Sequence, residues 1–469
     1  MDFKIRFLGA VQNVTGSRHL LEFNGFRVLV DCGLYQEREY QSRNWDDFGF
    51  VPADLNAVLL THAHLDHCGL IPKLVKEGFK GKVYCTPATA EITKIVLMDS
   101  GKLQEEDAAF KRKRHKKEGR ESPRPIEPLY TLEEAEQSFS CIEPVPFAQV
   151  FSPVEGIDVS FHEAGHILGA SIIKIILHLN GQSRTILFTG DLGRNNKPII
   201  RDPAVFDHAD YVLMESTYGD REHENTENTK DQLAQAVNQT WKAGGNLIVP
   251  SFSIERSQEV LYFLNELLLE DRIPHIMTFL DSPMAVKVTE VFEKHPELYD
   301  RQMRSLILKN GSPFSFKGLI KVQATAESKA INHIKGTVMI IAGSGMCTGG
   351  RIKHHLVNNI TRPESTILFV GYQANGTLGR QILDSNGGEV RILGQTYPVK
   401  ARVVKVHGFS AHADRREMLD WLRNLKQLPR KIFLVHGEKE VAENFREYLK
   451  DNLGADVMVP EYQQEVALN

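Results

Sequence analysis

The segment Thr61-His62-Ala63-His64-Leu65-Asp66-His67 packs three histidines and an aspartate into six residues, a density of metal-ligand side chains that leaves almost no structural explanation. His62 and His64 are two residues apart and fall on one side of an extended or tightly turned segment, while Asp66 and His67 point elsewhere. One short segment can therefore feed two adjacent ions. Neutral imidazoles with a carboxylate suit Zn²⁺ or a similar borderline ion, and mixed nitrogen and oxygen ligation leaves positions open for water, as a catalytic site requires. The preceding Leu55–Leu60 reads as a short buried strand and Gly69–Val75 as the start of an amphipathic helix. The cluster thus belongs at the carboxyl end of a strand, where α/β sheets bind ligands.

A chain of 469 residues, 42% hydrophobic and 25% charged, has the length for two or three domains of ordinary globular composition. Its opening, Met1 to Leu8, interleaves charged and apolar residues like a first strand and lacks the apolar core of a signal peptide. No window holds 18 apolar residues, and Ser171–His178 is too short and too charged to span a membrane. The expected location is the cytoplasm, with no membrane partner. Cys32, Cys68, Cys85, Cys141 and Cys347 are scattered without a Cys-x-x-Cys pair, so reduced thiols are expected, with Cys68 packing under the helix that follows the cluster. The net charge of -4 does not mark a nucleic-acid binder, although Lys111–Lys117 is a local basic run inside a predicted polar helix and loop, Leu97–Arg124. Such a run is usually a solvated surface; its functional alternative is a hold on phosphate backbone.

Short apolar runs alternate with helical patterns throughout. Strands are predicted at Phe26–Val30, Val58–Leu60, Lys82–Cys85, Asp158–Glu163, Ile172–Leu179, Thr185–Thr189 and Tyr211–Glu215, which argues for a layered α/β domain. From Thr217 to Lys400 the pattern resets into a second, doubly wound α/β unit. Ala401–Val406, a helix over Arg415–Leu425 and the strand Lys431–Val435 then resume the first. Late ligand candidates follow both of these strands, so the domains are read as 1–216 and 401–469 with 217–400 inserted.

Asp31 follows the apolar run Val28-Leu29-Val30, and His166 and Asp191 likewise end strands beside glycines, which let the backbone approach an ion closely. His162 competes with His166 but is expected inside the pleat. Taken by themselves, Glu215 before Ser216 and Thr217, and His412 before Ala413 and Asp414, could cap a turn or helix. Ser344-Gly345 could be a tight turn or a phosphate cradle.

In order, Asp31, the His-x-His-x-Asp-His cluster, His166 and Asp191 resemble the ligand set of the metallo-β-lactamase fold. The resemblance continues through Met214–Gly219, Ser344-Gly345-Met346 with Gly349-Gly350-Arg351, Gly371-Tyr372-Gln373, Phe409–His412 and Val435–Glu438. Together these motifs resemble the β-CASP ribonuclease branch, relatives of the endonuclease subunit that cleaves pre-mRNA 3′ ends. The resemblance implies an αββα sandwich carrying an inserted doubly wound α/β β-CASP domain. It implies two Zn²⁺ ions per chain, one on His62, His64 and His166, the other on Asp66, His67 and His436, with Asp191 bridging. Asp31 would accept a hydrogen bond from the nucleophilic hydroxide or from a ligand histidine. His412, oriented by Glu215, resembles the branch's general acid, and Ser344 and Gly345 are assigned to a substrate phosphate. The implied reaction is endonucleolytic cleavage of single-stranded RNA by hydroxide held on the metal pair, leaving 5′-phosphate and 3′-hydroxyl ends. Histidine at the position of His436 resembles RNA-directed members, where DNA-directed ones typically carry an aliphatic residue. The competing readings are a non-catalytic RNA-binding or scaffold subunit and a metallohydrolase of another ester. A homodimer is an assembly left open.

Overall fold

Phe3–Gly9 alternates strictly at its start, Phe3, Ile5 and Phe7 buried and Lys4 and Arg6 outward, where Lys4 pairs with Glu22 at 3.3 Å and Glu465 at 3.1 Å. That alternation places the strand with one face on a core. In the computed structural model, which describes residues 3–119, 121–122, 125–179, 182–223 and 228–468, it lies in a seven-stranded sheet. The order is Glu465–Ala467, Phe3–Gly9, Arg18–Phe23, Phe26–Val30, Ala57–Leu59, Lys82–Cys85, Ile142–Pro144. A second seven-stranded sheet runs Val457–Met458, Lys431–Val435, Tyr211–Glu215, Gln182–Phe188, Ser171–Leu179, Ile157–Glu163, Phe151–Val154. Phe3, Ile5, Phe7, Leu21 and Val28 from the first share one buried cluster with Val159, Phe161, Ile173, Ile175 and Phe433 from the second. The sheets therefore stack face to face. The helices Pro87–Glu118 and Lys439–Leu453 pack against the first and second sheets.

The chain divides into two compact units: residues 1–197, 201–222 and 411–469 in one, 198–200 and 223–410 in the other. The second unit is built on a six-stranded, wholly parallel sheet in the order Leu319–Lys321, Met277–Leu280, Val338–Ala342, Leu247–Pro250, Thr366–Phe369, Arg402–Lys405, with a separate antiparallel pair, Glu389–Ile392 and Gln395–Pro398. This differs from the sequence boundaries 217–400 and 401–469. Arg402–Lys405 pairs with Thr366–Phe369 and so completes the inserted sheet, and Ile199 and Ile200 bond to Asp300 and Tyr299 of that unit. Sequence alone does not say which sheet an edge strand joins. The long helix also starts ten residues earlier than expected, because Pro87 at its first position and the Thr86 hydroxyl, accepting from Thr89 N–H, cap it there. It ends at Glu118, with Gly119 in the left-handed region; Arg120, Pro123 and Arg124 lie outside the described residues, as do Met1 and Asp2. No helix among the described residues is long and apolar enough to cross a membrane.

Candidate metal centre

Every residue singled out for the metal chemistry comes from a strand end or the turn after it, all in the first unit. Asp31 directly follows Phe26–Val30 with a left-handed backbone (φ 61°), and its N–H bonds Leu59 O at 2.9 Å. The short strand Ala57–Leu59 releases His62 and His64, and the single turn Leu65–Cys68 presents Asp66 and His67. That turn lies so close to Gly33 that a Cβ there would meet the Asp66 carbonyl oxygen at 1.6 Å. His166 sits in the connection between Ile157–Glu163 and Ser171–Leu179, Asp191 follows Gln182–Phe188, and His436, also left-handed (φ 51°), follows Lys431–Val435.

These ends bring seven donor residues together as two facing sets. His62 Nε2 lies 3.0 Å and His166 Nε2 3.3 Å from His64 Nδ1, and both Nε2 atoms lie 3.4 Å from Asp191 Oδ2. Across the carboxylate, Asp191 Oδ1 is 3.3 Å from His67 Nε2 and 3.6 Å from His436 Nε2. Those two nitrogens are 3.2 Å apart, and Asp66 Oδ2 is 3.5 Å from His436. Each oxygen of Asp191 thus serves one set. Ring nitrogens aimed at each other over these distances are stable around a shared cation. Asp191 Oδ1 is buried with no hydrogen-bond partner, the state expected of an atom whose partner is an ion. The donor chemistry, imidazole nitrogen and carboxylate oxygen, fits a borderline divalent metal.

Electrostatics point the same way. Burial holds the imidazoles of His62, His64 and His166 below their ordinary range, His64 to about 3, so they are neutral at pH 7, the form that a metal ligand requires. At His67 burial also opposes charge, but the carboxylates of Asp191 and Asp31 outweigh it and raise the imidazole well above its usual value. Asp191 is itself held well below the carboxylate range, the surrounding imidazoles outweighing its burial. A divalent cation would take over the role of those protons.

The donor residues are held by Asp31 and by two threonines, Thr61 and Thr217, to which sequence reasoning gave no role. Asp31 Oδ2 accepts from His67 Nδ1 at 2.7 Å, which leaves Nε2 facing the centre. This contact accords with one of the two partners expected for Asp31, the histidine. Thr61 Oγ1 lies 3.0 Å from both oxygens of Asp31 and 3.0 Å from His62 Nδ1, so one hydroxyl donates to the carboxylate and accepts from the ring. Thr217 Oγ1 does the same for His436, at 3.0 Å from its carbonyl oxygen and 3.1 Å from Nδ1. Behind them His19 is buried, with both ring nitrogens lacking a partner and burial lowering its imidazole to about 3. It lines, with Asp31, His67 and His436, a cavity of about 20 Å³, room for one water. Thr61, adjoining the cluster, carried a positional signal; Thr217 and His19 carried none.

His412 enters beside this centre through a backbone bridge to Gly193 and an Ala413 N–H bond to Leu192 O at 2.7 Å. Its Nδ1 lies 2.9 Å from Glu215 Oε2 and 3.9 Å from Asp191 Oδ2. Glu215 is fully buried, and its other oxygen accepts Leu192 N–H at 2.5 Å. Burial pulls the His412 imidazole down, but Glu215 and Asp191 outweigh it and raise it to about 9. The capping role open to this stretch falls to Asp414, which accepts from Arg416 and Glu417 N–H at the start of Arg415–Leu422. Other candidates lie apart. His162 bonds Ser160 Oγ at 2.9 Å, and Cys68 is buried with its thiol donating to Ala63 O. Ser344 and Gly345 lie in the inserted unit, after Val338–Ala342, where Ser344 Oγ accepts Gly349 N–H at 3.2 Å and a Cβ on Gly345 would strike the Phe252 ring at 2.6 Å. His355 is committed to Asp281 at 2.6 Å.

Residues 20–210 match the metallo-beta-lactamase superfamily domain, 257–382 the Beta-Casp domain and 396–460 the Zn-dependent metallo-hydrolase RNA specificity domain. The chain is 38% identical over 432 residues to Ribonuclease TTHA0252 of Thermus thermophilus, covering 92% of each. It is 31% identical over 468 residues to transcription termination factor FttA of Methanocaldococcus jannaschii, covering 97% of this chain and 70% of that one. A crystal structure of a protein of unknown function from Enterococcus faecalis shares the fold, with a TM-score of 0.54 at 13% identity over both full chains. On the ordered ligand set, the inserted parallel sheet and these matches, the chain belongs to the β-CASP family of the metallo-β-lactamase superfamily.

Proposed function

We propose that the protein is a two-zinc ribonuclease that cuts single-stranded RNA endonucleolytically in the cytoplasm, leaving 5′-phosphate and 3′-hydroxyl ends. The observation that carries this reading is Asp191, each of whose oxygens faces its own set of three donors, with the Glu215–His412 pair 3.9 Å away. Similarity to a protein named as a ribonuclease supports RNA as the substrate. His62, His64 and His166 would hold one zinc and Asp66, His67 and His436 the other, with Asp191 between them. Such a pair, when bound, acidifies water and neutralises charge on phosphoryl oxygens. The chain supplies the rest. Asp31, Thr61 and Thr217 fix the tautomers of His67, His62 and His436. His412, with Nδ1–H donated to Glu215, carries its transferable proton at Nε2 and gives it to the departing ribose 3′-oxygen. Ser344 and Gly345, at the carboxyl end of a parallel strand, receive a substrate phosphate.

The test is incubation of zinc-replete protein with end-labelled single-stranded RNA and matched DNA at fixed salt, with product ends mapped. Internal cuts bearing 5′-phosphate and 3′-hydroxyl, faster on RNA, are expected. A 2′,3′-cyclic phosphate as primary product refutes the hydrolytic reaction, binding without turnover restores the scaffold reading, and equal or faster cutting of DNA removes the RNA preference.

A further inference from the structure

The last turns of the helix Pro87–Glu118 are exposed on nearly all sides: from Phe110 to Lys117 only His115 is partly covered. An arm of this kind gains little from packing, and its sequence works against it. Six of the seven residues 111–117 are Lys or Arg, and neighbours such as Lys113 and Lys117 repel across one turn. Attraction of cations to the helix C-terminus accounts only for the last turn, His115 to Lys117. Arg112 is anchored to Ile126 O at 2.8 Å, but Lys111, Lys113, Arg114 and Lys117 have no carboxylate partner among the described residues. Amid these charges Phe110 is 64% exposed. Phe110, Lys113, Arg114 and Lys117 stand at i, i+3, i+4 and i+7 and so share one face, a stripe about 10 Å long. An exposed aromatic ring among unpaired cations is the chemistry that holds single-stranded nucleic acid: cations take phosphates and the ring stacks on a base.

We propose that this arm is a second RNA-binding surface, outside the metal centre, which holds the single-stranded substrate by phosphate contacts from Lys111, Lys113, Arg114 and Lys117 and by stacking on Phe110. The proposal rests on the RNA reading above. It assigns the arm to substrate affinity and leaves the chemical step to the metal centre.

The experiment compares the wild type, the quadruple variant Lys111→Gln/Lys113→Gln/Arg114→Gln/Lys117→Gln, and Phe110→Ala. Affinity for a labelled single-stranded RNA is read by fluorescence anisotropy across a salt series, alongside turnover of bis(p-nitrophenyl) phosphate, zinc content and helix content. Loss of four phosphate contacts at roughly 0.7 each should make the plot of log affinity against log salt shallower by about 3, with binding at least about tenfold weaker at low salt. Phe110→Ala should weaken binding by about fivefold or more with the slope unchanged. Turnover of the small phosphodiester, zinc and helix content should stay at wild-type levels. A quadruple variant with wild-type affinity and slope overturns the proposal. Wild-type protein that binds RNA without cutting it refutes the ribonuclease reading and leaves the arm to stand or fall on the slope; wild-type protein that does not bind RNA removes both.

Discussion

Thr61→Val removes one hydroxyl from a fully buried position and should weaken zinc binding at both donor sets. Thr61 Oγ1 is 3.0 Å from each Asp31 oxygen and 3.0 Å from His62 Nδ1, and Asp31 in turn holds His67. Valine keeps the shape, so the substitution isolates the hydroxyl. Asp31 keeps the Thr61 N–H at 2.8 Å and His67 at 2.7 Å but loses a charge-assisted bond of about 1.5–3 kcal/mol, and His62 Nδ1–H is left buried without an acceptor at about 1–3 kcal/mol. Part of that loss falls on the metal-free fold. The remainder should lower zinc affinity by about 10–100-fold, the usual effect of removing a partner of a ligand. Thr61→Ser keeps the hydroxyl and loses only a methyl packed at Gly190, so its zinc affinity should stay near wild type while stability falls by about 1 kcal/mol. Chelator competition and thermal melting with and without zinc distinguish the two. Wild-type zinc affinity in Thr61→Val would refute the claim that this hydroxyl links the sets.

Elemental analysis of zinc-supplemented protein should find about two zinc ions per chain, and Asp191→Ala should lose activity and zinc with the fold intact; a single ion in the wild type would break the assignment of Asp191 or His436. His412→Ala should slow the chemical step by roughly 10²–10⁴-fold with zinc retained, Glu215→Gln less so; zinc loss in His412→Ala would make His412 a ligand. In the metal-free protein the His412 imidazole is raised from 6.5 to about 9, so the stability its pair with Glu215 contributes is present below 6.5 and lost as pH rises through about 9; thermal melting of zinc-free protein should show that loss, and it should be absent in His412→Ala. In the inserted unit, Asp281 is buried but held below its usual 3.8 by His355, Ser328 and Arg351, so its stabilisation is present above that value and lost as pH falls through the depressed one. Asp281→Asn should lower stability by about 3–5 kcal/mol at pH 7, with the gap to wild type closing in acid; a constant gap across pH would exclude the charge as its cause.

The fold was legible where period and burial agree. Phe26–Val30, Lys82–Cys85 and Tyr211–Glu215 occupy their expected residues because each is a short apolar run between turn residues. Arg402–Lys405 was not legible, since its sheet is fixed by a partner strand far away in sequence. The cluster from His62 to His67 announces itself because four ligands are local. Asp191 was a candidate from its place at a strand end beside glycines and His412 and His436 from following late strands, but only the family resemblance gave each a role, since no local pattern separates them from ordinary strand-end residues. Thr61, Thr217 and His19 matter only through the side chains that tertiary folding brings to them, and a threonine after a strand reads the same whether it caps, pairs or orients a ligand.

The second sheet places Tyr211 opposite Lys431, 220 residues later, and that pairing sets an order on synthesis. On a growing chain, Tyr211–Glu215 leaves the ribosome as an apolar edge with no neighbour on one side, and stays so while the whole insert is made. Closing an unstructured loop of that length opposes pairing by about 5 kcal/mol; an insert already folded shortens the loop and removes about 2 kcal/mol of that cost. The insert therefore favours completion of the unit around it by folding first. His412 and His436 arrive only afterwards, so a chain stalled inside the insert holds His62, His64, Asp66, His67, His166 and Asp191 but lacks His436 of the second donor set and the proposed acid, His412. On the proposed roles, the residues needed for cutting are complete only once the insert and the strand Lys431–Val435 have been made.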